Sequence, residues 1–77
     1  MVAWALGEMK EPRAVQTLGG LLVEDAQVEV RETAAWALGE IRDPQATPFL
    51  NRALSDAETR VRDKAKWALS EIEDSDG

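Results

Sequence analysis

The chain has no cysteine, no histidine and no tyrosine. Without thiols there is no disulfide framework and no cysteine nucleophile, which fits a reducing, cytoplasmic setting. Without histidine or cysteine, the usual catalytic triads and zinc sites are excluded as well. Positive charge is scarce: nine Lys and Arg stand against fifteen Asp and Glu, a net charge of −6. That balance argues against nucleic acid and against an anionic membrane surface. No apolar run approaches the length of a membrane span, and no signal peptide is visible. Seventy-seven residues make one domain at most, with a core too small to be generous.

The remaining chemistry is thin. Carboxylate pairs such as Glu29 with Glu32 exist, but nothing in the sequence builds a pocket that would perturb them. Gly19–Gly20 follows no strand and carries no lysine–serine signature, so it is not a phosphate loop. The terminal "DSDG" stops short of a calcium loop and reads as a frayed acidic tail over 74–77. No enzyme, metal site or cofactor is expected.

What the sequence does contain is a repeat. Tryptophan recurs at Trp4, Trp36 and Trp67, inside "VAWALGEMKEP", "AAWALGEIRDP" and "AKWALSEIEDS". Pro12 and Pro44 lie 32 apart and Val30 and Val61 lie 31 apart, so the period slips by one residue in a connection. A period in this range marks stacked helix pairs. The long element spans about Val28 to Arg42. At 100° per residue, Val30, Ala34, Ala37, Leu38 and Ile41 share one face, as do Val61, Ala65, Ala68, Leu69 and Ile72 in the next copy. Asp43–Pro44 ends this helix and starts the next, with Asp43 as the cap.

A short element spans about Pro12 to Val23 and again Pro44 to Ser55, and Pro48 puts the effective start of the second near Thr47. Gly19 and Gly20 interrupt the first copy, at roughly 1 kcal/mol each relative to alanine. They read either as a weak, bent surface helix, the favoured reading, or as a hinge or a close approach by another backbone. The order is therefore long, short, long, short, long: about five antiparallel helices joined by tight polar turns. One repeat domain is expected over 1–77, with an incomplete repeat at 1–27, a repeat at 28–57 and a terminal helix at 58–73. The first copy lacks a "VEVRE" segment and the chain ends on a long helix. This suggests a piece of a longer array, or one completed by association.

Val30–Arg31, Ala34–Ala35, Ala37–Leu38–Gly39, Ile41 and Asp43 in the middle copy resemble the HEAT-like repeats of about 31 residues. Val61–Arg62, Ala65, Ala68–Leu69, Ile72 and Asp74 resemble them in the third. Such repeats occur in phycobilisome bilin lyase subunits and in many scaffold proteins. The resemblance implies an all-α fold, an α-α superhelix of which this chain is a fragment. It also implies that the long helix lines a concave groove, with Trp36 and its equivalents facing that groove. Lys66 and Ser70 depart from the pattern, where Ala35 and Gly39 stand in the middle copy, as a terminal repeat would.

The helical wheel puts Trp36 roughly 140° from the apolar face, beside Glu29, Glu32 and Glu40. Helices stacked about 8–10 Å apart would align the three indoles as a ladder, with Glu8, Glu40 and Glu71 one turn on. Either this row is a contact surface for a protein or peptide with apolar and basic groups, or the indoles lie flat over neighbouring helices. Arg31 and Arg62 are expected to bond to acids or carbonyls of nearby turns. Arg60, Arg62, Lys64 and Lys66 are expected to form a solvated face balanced by Glu58, Asp63, Glu71 and Glu73. Three functions follow. The first is a non-catalytic protein-interaction scaffold using Trp4, Glu8, Glu29, Glu32, Trp36, Glu40, Trp67 and Glu71. The second is homodimerisation through uncovered Val2, Leu6 and Met9. The third, implied by the resemblance alone, is a scaffold portion of a bilin lyase-like protein.

Overall fold

A computed structural model describes residues 14–74. Trp4, Glu8, Val2, Leu6, Met9 and most of the acidic tail lie outside the described residues. Four α-helices follow one another: α1 (Ala14–Glu24), α2 (Val28–Ile41), α3 (Thr47–Ala53) and α4 (Thr59–Asp74), with a 3-10 turn at Pro44–Ala46 before α3. No strand occurs among the described residues. The long helices α2 and α4 pack most extensively on each other, while α1 and α3 pack on them and on one another. The result is two layers, long helices in one and short helices in the other. Leu18, Leu22, Leu38, Leu50 and Val61 are fully buried where the layers meet, with Ala34, Ala35, Ala37, Ala65 and Ala68 around them.

Both long helices begin with the same device. The Asp25 carboxylate accepts the Gln27 amide at 2.8 Å, and the Asp56 carboxylate accepts the Glu58 amide at 2.9 Å. The carbonyls of Gln27 and Glu58 then accept the first helical bonds. The aspartate bends the chain so that an otherwise orphaned helical end has its partners set. At the other end of α2, Arg42 leaves the helix with φ 58 and donates its amide to the Leu38 carbonyl. The helix thus stops one residue before the Asp43–Pro44 pair expected to end it.

The second short element begins as a helix at Thr47, the start that Pro48 leads one to expect, and Pro44–Ala46 form a 3-10 turn before it. Pro48 has no N–H, so it cannot donate back to residue 44 and must stand in a helix's first turn. The chain therefore makes a 3-10 turn, capped by the Asp43 carboxylate on the Gln45 amide at 2.9 Å, and α3 begins at Thr47.

Two residues placed on the packed face of α2, Val30 and Ile41, are only half-buried, whereas Ala35 and Gly39 are fully buried. A single-face wheel assumes a single neighbour. In α2 the short-helix layer covers one face and α4 covers a flank, so the buried arc is wider and turned toward α4. Gly19 is buried as well. A β-carbon there would come within 2.5 Å of the Phe49 ring of α3, so the glycine makes room for an aromatic side chain rather than for a backbone. At Gly20 nothing lies within 4 Å.

Candidate functional site

The tryptophans are the site residues that the repeat singles out. Trp36 on α2 and Trp67 on α4 are both half-buried and packed against the core. The Trp67 ring reaches sideways onto α2. A β-carbon added at Gly39 would strike its Cζ3 and come within 3.0 Å of the Ala68 Cα. Gly39 thus leaves room for the Trp67 ring and for the close approach of α4 at Ala68. This contact sets Trp67 against the neighbouring long helix. Trp67 stays partly exposed, and the Lys64 ammonium sits 5.5 Å from its ring centroid, within cation–π range.

The acidic row is largely neutralised. The Glu71 carboxylate accepts Arg42 at 2.8 Å, Glu32 accepts Arg60 at 2.7 Å, and Glu29 lies 3.8 Å from the same guanidinium. Among the described members of the row, Glu40 alone makes no ion pair with a described residue. The face therefore carries mixed charge, not the acidic stripe that spacing along one helix suggested. Arg60, Arg62, Lys64 and Lys66 likewise form no common basic face: Arg60 pairs one repeat back, Arg62 turns inward, Lys64 lies over Trp67, and Lys66 is exposed. Sequence reasoning missed Arg42 and Arg60 because it looked for partners within a helix. The available signal was opposite charge at an offset near one repeat, 28 residues for Glu32–Arg60 and 29 for Arg42–Glu71.

A second cluster joins the repeats beneath this surface. Arg31 donates Nε to Asp56 at 2.9 Å and Nη2 to the other carboxylate oxygen at 3.2 Å, while Nη1 donates to the Asp25 carbonyl at 2.9 Å. The side chains are 16% and 11% exposed, so this fork is the most enclosed ion pair in the described structure. Arg62 repeats half of it, donating Nη1 to the Asp56 carbonyl at 2.6 Å. The expectation that both arginines bond to acids or carbonyls of nearby turns holds. Burial alone would push the Asp56 carboxyl up. The hydrogen bonds from Arg31 and the Glu58 amide, with the charges of Arg31 and Arg62, outweigh it and hold the group below the usual carboxylate range.

No pocket, no cluster of acids able to hold a metal, and no helix long and apolar enough to cross a membrane occurs among the described residues.

The family model for HEAT repeats matches residues 1–70, so the chain belongs to that family. No curated protein matches it. HEAT repeats commonly serve as protein-interaction scaffolds and are generally non-catalytic, and the match carries nothing specific to bilin lyases.

Proposed function

We propose that this member of the HEAT-repeat family is a non-catalytic, cytoplasmic scaffold. In this reading it binds a protein or peptide through the concave long-helix face that carries Trp36 and Trp67. The observation that supports this most is the half-exposure of two indoles at equivalent positions on adjacent long helices. Indoles held this way offer rigid apolar area at small entropic cost and are frequent anchors of interfaces. Glu29, Glu32 and Glu71, engaged with Arg60 and Arg42, form a polar rim. Glu40 makes no ion pair with a described residue, although its charge also acts on the Arg42 guanidinium. By motif position, Trp4 and Glu8 are the first-copy counterparts of Trp36 and Glu40. The matching partner is a helix or loop with apolar side chains to cover the indole edges and a lysine or arginine opposite Glu40.

The test starts from a partner isolated with the intact chain and identified. Its affinity is then compared for the parent, Trp36→Ala and Trp67→Ala, each checked for retained helicity. The chain has three tryptophans and no tyrosine, so intrinsic emission reports on the surroundings of its indoles. Loss of about tenfold in affinity, about 1.4 kcal/mol, is expected for each folded variant. Affinity that survives both substitutions sinks the proposal.

A further inference from the structure

Trp36 and Trp67 hold equivalent positions on the two long helices, yet their surroundings differ in charge. At Trp67 the Lys64 ammonium lies 5.5 Å from the ring centroid, and the carboxylate one turn on, Glu71, accepts Arg42 at 2.8 Å. The indole and the acid, the two groups that attract a cation there, are both engaged from within the chain. At Trp36 their counterparts are open. Thr33 stands where Lys64 stands in α4, and its hydroxyl turns back to the Glu29 carbonyl at 2.8 Å. Among the described residues no ammonium or guanidinium lies over the Trp36 ring. Glu40, the counterpart of Glu71, makes no ion pair with a described residue. Its charge acts on Arg42, but that guanidinium bonds to Glu71, and Arg60 bonds to Glu32. Trp36 and Glu40 are four residues apart on α2, so they share a face with β-carbons about 5–6 Å apart. Both remain partly exposed.

We infer that Trp36 and Glu40 form the seat for one arginine side chain of a protein partner. This rests on the scaffold reading above and deepens it by naming the anchor and its place. The partner's guanidinium takes at Trp36 the position that Lys64 takes at Trp67. Arginine fits better than lysine, because its planar fork stacks on an indole and bonds a carboxylate through two N–H groups at once. The chain's net charge of −6 draws such a partner in. Trp67 is left to apolar contact, since its own cation is already in place.

The test uses the full chain labelled at its indole nitrogens, with resonances assigned through Trp36→Phe and Trp67→Phe. The probe is N-acetylarginine amide, added at fixed ionic strength. Trp36 is expected to shift along a saturable curve and Trp67 to move little. N-acetylcitrulline amide, of the same shape without the charge, is expected to move neither. Thr33→Lys gives Trp36 the internal cation that Lys64 gives Trp67, and is expected to weaken the arginine response by about fivefold or more. Gln16→Lys adds the same charge at an exposed position of α1 and is expected to leave the response unchanged. Equal shifts at the two indoles, an equal response to the citrulline compound, or a Thr33→Lys response like the parent's overturns the inference. An identified partner separates it from the broader scaffold reading. Binding weakened by Trp36→Ala but not by Thr33→Lys means that the face binds without a cation on Trp36, which also overturns it. Binding weakened by both, and not by Gln16→Lys, supports the arginine seat.

Discussion

At the residue scale, two adjacent glycines have opposite meanings. Gly19 is buried under the Phe49 ring, while Gly20 faces open space, and neither has a positive φ. Alanine at 20 fills nothing and clashes with nothing. Gly20→Ala is expected to stabilise the chain by about 0.5–1 kcal/mol through helix propensity and a less free unfolded state. Gly19→Ala forces the Phe49 ring to move and is expected to cost about 1–3 kcal/mol, as overpacking does. Urea midpoints of the two variants check both signs. In sequence the pair is indistinguishable, because the difference resides in a side chain 30 residues away.

At the scale of the element, the ends of helices carry the information. Every turn between described helices is set by a short polar device: Asp25, Asp43 and Asp56 each accept an amide two residues on. The Asp43 cap and the delayed start of α3 at Thr47 were legible, because a proline's missing donor is a local property. The left-handed turn at Arg42 was not, since helices favour glycine there and arginine gives no such sign. Arg42→Gly removes the steric cost of φ 58 and loses an ion pair whose arginine is 48% exposed. Such an exposed pair contributes little, whereas a non-glycine residue in this conformation costs about 1–2 kcal/mol. A net gain in stability is therefore expected. Thermal unfolding of Arg42→Gly beside Arg42→Ala, which loses the ion pair without relieving the turn, separates the two contributions.

At the scale of the whole molecule, the repeats are locked to each other by charge as well as by packing. The Arg31–Asp56 fork ties the start of α2 to the loop before α4, and the Arg42–Glu71 and Arg60–Glu32 pairs cross the same boundary. The Asp56 carboxyl is held below its ordinary value in the folded chain, so the folded state binds fewer protons there than the unfolded chain does at acid pH. Its contribution is therefore present in full above the unfolded carboxylate value of about 3.9 and is lost as pH falls through the lower folded value. Asp56→Asn is expected to weaken the fold at neutral pH and to flatten the acid limb of the urea-midpoint profile relative to the parent. A profile as steep below pH of about 4 in the variant as in the parent would place the acid sensitivity in other carboxylates.

The sequence by itself determined the helical class, the repeat and its period, the alternation of long and short helices, and the polar devices at the turns. All of these rest on spacing within about one helical turn, or on the recurrence of a motif, and both are written along the chain. Only the tertiary structure decided which flank of each long helix is buried. It also decided that Trp67 lies on Gly39, that Gly19 seats Phe49, and that the glutamates beside the tryptophans are neutralised by arginines one repeat away. These are contacts between residues about 25 to 30 positions apart, fixed by how closely two helices approach. That distance is set by the smallest side chains between the helices, and a helical wheel drawn for one helix at a time has no place for its neighbour.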